Sequence, residues 1–91
     1  MGACEVQGAF RHAVPEGYFT KYELSDLNVT CSIPAAFRCH LRGMERGNHR
    51  EGAEVKEFAL CEHHLHAFQE IDHRLRTLGW SSAVTGSVVP V

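Results

Sequence analysis

The sequence predicts a small α+β domain in which an antiparallel sheet of four or five strands packs against one C-terminal helix. Two observations predict this fold: short segments of alternating apolar and polar residues, and a long helical pattern that follows them. The chain has 91 residues, which suits one domain with a modest hydrophobic core. We place this domain at residues 1–80 and expect residues 81–91 to form a loose tail or an edge strand.

Alternation and turn residues predict the strands in the first half of the chain. In two segments, residues 10–14 and residues 37–41, every second side chain would lie on one face of a strand, and most of these side chains are apolar. This pattern is typical of half-buried strands. Pro15-Glu16-Gly17 is a turn signal. Residues 18–24 follow it and are rich in aromatic side chains, so they predict a third strand, which residues 27–30 extend.

The second half of the chain predicts a loop, a strand and a helix. Residues 43–52 are polar and contain three glycines, which indicates a hairpin loop before a strand at residues 55–60. A helix is predicted from about Glu62 to Leu78, because apolar residues recur there at spacings of three, three, four and three. Gly79 then provides a left-handed C-cap. The apolar stripe of this helix consists of Leu65, Phe68, Ile71, Leu75 and Leu78.

A Cys-x-x-His pair, Cys61 and His64, stands at the predicted start of the helix. Zinc prefers thiolate and imidazole ligands in a tetrahedron, and a two-residue spacer lets both side chains reach one ion. The partial positive charge of a helix N-terminus also favours the thiolate. We therefore predict that this pair binds a metal ion.

The segments that begin at Cys4 and Cys31 resemble each other. Each starts with a cysteine, contains Ala-Phe-Arg at the same distance, and ends on a side chain that can bind a metal, His12 or Cys39. We interpret them as two copies of a cysteine turn that leads into a strand. Equivalent positions would make Cys4 and Cys31 ligands of the same ion.

Two motifs in residues 31–75 resemble those of a known group of proteins. The motifs are Cys31-x-x-Pro34-Ala35-x-Phe37-Arg38 and, after the hairpin, Leu60-Cys61-x-x-His64-Leu65. Together they resemble small bacterial and phage zinc proteins of the treble-clef or zinc-ribbon type. In that group a cysteine turn and a helix start supply four ligands. The resemblance thus implies a structural zinc ion, although this chain has one cysteine where the group has Cys-x-x-Cys.

Cys4 supplies the missing ligand in our interpretation. The predicted zinc site then consists of Cys4, Cys31 and Cys61 as thiolates and His64 as a neutral imidazole. The sequence leaves open whether another residue replaces one of these ligands. The alternatives are Cys39, His12 and His66.

Composition narrows the expected partners and location. The formal net charge of −2 does not favour a general electrostatic grip on nucleic acid. We expect a protein partner, with nucleic acid as the second candidate, and no membrane, since no segment approaches the ~20 apolar residues of a membrane span. No apolar export segment follows the N-terminus, so we expect a reducing, cytoplasmic location in which thiols hold metal.

The expected function is that of a small zinc-stabilised binding or adaptor protein, such as a phage or bacterial accessory or inhibitor protein. We do not expect an enzyme, because three thiolates and an imidazole close the tetrahedron and leave no position for a substrate. A nucleic-acid-binding zinc finger is the first alternative, and it requires the arginines of residues 38–50 to share one exposed surface. The second is an HNH-like nuclease with His40 as its base, although the paired Asp/His-His and the Asn of that group are missing.

Overall fold

A computed structural model describes residues 2–18, 27–46 and 54–91. It confirms the predicted α+β class: within these residues, two helices accompany a three-stranded antiparallel sheet. Neither helix combines the length and the apolar character that crossing a membrane requires. The elements in chain order are α1 (Val6–Ala13), a 3₁₀ turn (Glu16–Tyr18), β1 (Phe37–Arg42), β2 (Val55–Leu60), α2 (Glu62–Arg76) and β3 (Val84–Pro90).

The sheet has the strand order β2-β1-β3, so β1 lies at its centre. Phe37 pairs with Leu60 at one end of the β1–β2 ladder, and Arg42 pairs with Val55 at the other. This register confirms the two predicted strands and their antiparallel pairing. Most of the loop predicted at residues 43–52 lies outside the described residues. β3 pairs antiparallel with the other side of β1 and includes an irregularity near Gly86, whose φ is +71°. The segment predicted as a loose tail or an edge strand therefore contains a strand at the edge of the sheet.

The predicted strand at residues 10–14 is wrong, because residues 10–13 belong to helix α1. The buried residues of α1 recur at the helical spacings of three, one and three, and Val14 closes the helix by donating its N–H to the Phe10 carbonyl at 2.9 Å. Phe10 and Val14 fit both patterns, since residues four apart share a face in a strand and in a helix. The buried residues of α1 are Val6, Ala9, Phe10 and Ala13.

Helix α1 also changes the interpretation of the two similar segments. The segment that begins at Cys4 continues into a helix, whereas the one that begins at Cys31 continues into strand β1. Residues 27–30 form a turn and bends rather than the predicted strand extension. Tyr18 lies in the 3₁₀ turn, and the rest of the strand predicted at residues 18–24 lies outside the described residues.

Helix α2 packs its predicted apolar stripe into the core. The side chains of the stripe are at most 7% exposed up to Leu75, but Leu78 is 40% exposed because the helix ends at Arg76. Gly79 has the predicted left-handed conformation, with a φ of +100°. Its N–H bonds to the Arg76 carbonyl at 3.1 Å, and the N–H of Trp80 bonds to the Leu75 carbonyl at 3.2 Å.

The buried carboxylate of Asp72 attaches the start of β3 to α2. Asp72 is 5% exposed and accepts hydrogen bonds from the Ala83 N–H at 2.7 Å and from the Ser82 hydroxyl at 3.2 Å. Arg76 forms an ion pair with the same carboxylate at 3.5 Å. The carboxylate therefore satisfies a buried backbone donor that would otherwise lack a partner.

Asp72→Ala is expected to destabilise the domain by about 1–3 kcal/mol, because the buried Ala83 N–H loses its acceptor. Thermal unfolding followed by circular dichroism measures this loss as a lower Tm. Arg76→Ala is the matched control, since it removes only a half-exposed ion pair and should cost less than about 1 kcal/mol. Equal Tm values for the two variants would contradict the anchoring role of Asp72.

Candidate metal centre

The structure brings the four side chains of the predicted zinc site together. One ligand atom from each of Cys4, Cys31, Cys61 and His64 lies within 4.8 Å of all the others. The four residues are only 2–9% exposed. The cluster is therefore buried, and its donors are close enough to bind one metal ion.

Backbone hydrogen bonds hold Cys4 beside the segment that contains Cys31. The Cys4 N–H donates to the Ile33 carbonyl at 2.9 Å, and the Ala35 N–H donates to the Gly2 carbonyl at 3.1 Å. These bonds pair two short stretches of chain in an antiparallel bridge between Ala3 and Pro34. The pairing fixes the separation of the first two cysteines.

Glu5 attaches the same N-terminal stretch to the end of β2. Its N–H donates to the Ala59 carbonyl at 2.7 Å, and its carboxylate accepts the Ala59 N–H at 2.9 Å. Ala59 lies two residues before Cys61, so Glu5 sets the position of Cys4 relative to the third cysteine. No sequence motif pointed to Glu5, because both of its hydrogen bonds are made with the backbone of a residue far along the chain.

Two helix N-termini face the cluster. Cys61 is the N-cap residue of α2, and Cys4 lies two residues before the start of α1. Backbone N–H groups of Val6 and Cys61 donate hydrogen bonds to the Cys4 sulfur. Three thiolates around a divalent cation carry a net charge of −1, which the partial positive charges of the helix N-termini stabilise.

The distances to the imidazole match those of a tetrahedral zinc site. His64 Nδ1 lies 3.5 Å from the Cys4 sulfur and 3.4 Å from the Cys61 sulfur. Zinc–sulfur bonds of about 2.3 Å and zinc–nitrogen bonds of about 2.0 Å give sulfur–nitrogen edges of roughly 3.5 Å in a tetrahedron. All four cysteines of the chain are free thiols rather than disulfides. The donors of the cluster and these two sulfur–nitrogen distances therefore fit a metal ion of this kind.

Burial makes the cluster unfavourable for an isolated thiolate. Loss of solvation raises the pKa of the Cys4 thiol to about 12, against the lowering effect of the backbone hydrogen bonds from Cys61 and Val6. The free thiol is therefore neutral near pH 7. A cation that binds here has to displace its proton, so metal binding releases protons and strengthens as the pH rises.

The three alternative ligands lie outside the cluster. Cys39 is 1% exposed and belongs to the hydrophobic core on β1. His12 uses Nε2 to contact the Leu41 carbonyl at 3.2 Å and the Glu54 carbonyl at 2.8 Å. His66 is exposed on α2. Of the seven candidate ligands in the sequence, the structure thus groups only the four that we preferred.

Cys39 is expected to resist alkylation in the folded protein at pH 8. Burial, and then the negative charge of Glu57, raise the pKa of its thiol from 9.0 to about 11, so the reactive thiolate is scarce. Because the folded-state pKa is the higher one, the stabilisation from Cys39 is fully present below pH 9 and is lost as the pH rises to about 11. Mass spectrometry after iodoacetamide treatment of native and unfolded protein measures the protection. Rapid native labelling of Cys39 at pH 8 would contradict it.

Comparisons of the chain with protein-family models, with curated proteins and with solved structures gave no match. The resemblance to treble-clef and zinc-ribbon proteins therefore stays a prediction. The fold and the cluster define a class by themselves: a small α+β protein with a buried cluster of three cysteines and one histidine that is able to hold a metal ion.

Proposed function

We propose that this chain is a small zinc-stabilised binding protein that acts through contact with another protein and has no catalytic activity. The observation that carries the proposal is the buried, closed set of four donors at Cys4, Cys31, Cys61 and His64. Three thiolates and an imidazole select zinc over magnesium or calcium, which prefer oxygen ligands. With four protein ligands, zinc has no open position for water or substrate, so its role is structural.

The zinc ion in this proposal connects parts of the chain that are far apart in sequence. It joins the stretch before α1, the stretch before β1 and the N-terminus of α2. A chain of 91 residues has a modest core, and a metal staple adds stability that the core alone does not supply. The domain then presents its remaining surface to a partner.

The outer edge of β3 is the partner-binding surface that we propose. Within the described residues, β3 pairs only with β1, and its other edge has no strand partner. Exposed edge strands usually carry charges that prevent pairing with other chains. Residues 78–91 contain no charged side chain, so this edge lacks that protection. Val89 is 44% exposed and Val91 is 51% exposed. An extended segment of another protein is able to add to such an edge through backbone hydrogen bonds.

Val89→Lys tests this surface, because it places a charge beside the proposed interface without changing the core. Val55→Lys is the matched control: Val55 is 43% exposed, but it lies on β2, the strand at the other edge of the sheet. We expect affinity capture with the unmodified chain and with Val55→Lys to enrich the same partner, and Val89→Lys to lose it. Equal capture by all three proteins would exclude the β3 edge as the interface.

Nucleic acid remains the second candidate partner, because Arg38, His40 and Arg42 are exposed on alternate positions of β1. We prefer a protein partner on two observations. Arg38 already forms an ion pair with Glu57 at 3.1 Å. Arg46 lies elsewhere, 5.1 Å from the Trp80 ring centre, and Arg50 lies outside the described residues. Binding of an oligonucleotide that weakens steeply with salt and is reduced by Arg42→Gln would favour this candidate over a protein partner.

The nuclease alternative gains no support from the position of its proposed base. His40 is exposed on β1 and lies outside the metal-binding cluster. Among the described residues, that cluster is the one group of three or more metal-binding side chains whose donor atoms lie together. We therefore do not propose a nuclease.

A further inference from the structure

A second set of metal-binding side chains lies on the exposed face of α2, outside the cluster of three cysteines and His64. His66, Glu70 and His73 are all exposed, and together with His63 they line a shallow groove along the helix. The side chains of His66, Glu70 and His73 form no hydrogen bond or ion pair with any other residue that the structure describes. Their donor atoms are therefore available to a ligand from solution.

Helix geometry places these three side chains in one stripe. His66 and Glu70 are four residues apart, which separates them by about 40° around the helix and by about 6 Å along it. Glu70 and His73 are three residues apart, which gives about 60° and about 4.5 Å. Side chains at these spacings are neighbours on a helix surface. His66 and His73 are seven residues apart, which is about 10.5 Å along the helix, so both side chains have to turn toward Glu70 before their ends reach one ion.

We propose that His66, Glu70 and His73 form a second site for a divalent transition-metal ion such as zinc, nickel or copper. Two imidazoles and one carboxylate are ligands that these ions accept well, and the Irving–Williams order favours copper. The proposal does not depend on the proposed function, because none of the three residues belongs to the buried cluster.

The two sites differ in the way they hold an ion. The buried cluster supplies four donors that the fold has already brought together. The α2 site supplies three exposed donors that become ordered only on binding, at a cost in side-chain entropy. Three donors also leave at least one coordination position for water. The ion at His66, Glu70 and His73 therefore exchanges with solution, whereas the ion in the buried cluster stays with the fold.

Titration with Ni²⁺ alone tests the α2 site. The protein is used as purified, and binding is followed by calorimetry together with absorption spectroscopy. We expect one further ion to bind without a sulfur-to-nickel charge-transfer band, since imidazoles and a carboxylate bind it. The variant His66→Gln/His73→Gln should bind this ion at least about tenfold more weakly. Loss of a group that orients a metal ligand already weakens metal binding about tenfold or more, and loss of the ligand itself should cost at least as much.

His40→Gln is the control, because His40 is also exposed but lies on β1. It should bind Ni²⁺ as the unmodified protein does. The Tm of the double variant should also be unchanged, since both substitutions are on the surface. The proposal is overturned if the double variant binds Ni²⁺ as tightly as the unmodified protein. Absence of a further ion, or uptake accompanied throughout by a charge-transfer band, would overturn it as well.

Discussion

Cys61→Ser is expected to abolish stable metal binding and to unfold most of the domain. Cys61 supplies one of four donors, and its Sγ lies 3.4 Å from His64 Nδ1. A structural zinc site contributes on the order of 10 kcal/mol to folding, which is comparable to the total stability of a small domain. Metal analysis and far-UV circular dichroism of the purified variant measure the two losses together.

Cys39→Ala is the control that separates loss of a ligand from loss of a buried cysteine. Cys39 is 1% exposed, less than Cys61 at 2%, but it lies on β1 outside the cluster. Its replacement should cost on the order of 1 kcal/mol, as expected for a small cavity, and should leave the metal content unchanged. A Cys61→Ser variant that keeps its full metal content and its Tm would refute the assignment of Cys61 as a ligand.

Phe10→Ala is expected to destabilise the domain by about 3–5 kcal/mol, the second largest effect that we predict. Phe10 is 0% exposed on α1 and belongs to the hydrophobic core. Truncation removes its ring and leaves a cavity whose walls relax only in part. Urea denaturation measures the free energy of unfolding of the variant and of the unmodified protein.

Val55→Ala provides the comparison for a substitution on the surface. Val55 is 43% exposed on β2, so its truncation should change the free energy of unfolding by about 0.5 kcal/mol or less. If Phe10→Ala cost no more than Val55→Ala, residues 6–13 would not form a helix packed against the core. The position of α1 in the fold would then be incorrect.

Long, regular patterns predicted the elements that the structure confirms. α2 follows the predicted apolar stripe, β1 follows the predicted alternation, and β2 occupies the strand predicted at residues 55–60. α1 has only eight residues. Three of the positions that it packs against the rest of the domain are Gly8, Ala9 and Ala13, whose small side chains add little to a hydrophobic pattern. Gly8 lies against the Phe58 ring of β2, where an added Cβ atom would make a contact at 3.4 Å. Such packing is a tertiary effect that no local pattern reveals.

The metal-binding cluster was predictable to the extent that its chemistry is local. Cys61 and His64 are close in sequence, and their spacing indicated a shared ion. Cys4 and Cys31 were selected through the similarity of two segments, yet one segment continues into a helix and the other into a strand. Backbone hydrogen bonds bring these two cysteines together instead. Hydrogen bonds to distant backbone groups leave no trace in residue spacing, so Glu5 was not predicted.

Native mass spectrometry of protein purified without added metal is the most direct test of the central claim. A second measurement under denaturing conditions counts the free thiols. We predict the mass of one zinc ion per chain and four free thiols after denaturation, because all four cysteines are unpaired. A chain without metal whose mass is lower by four hydrogens would contain two disulfides. That result would contradict both the metal centre and the function that we propose from it.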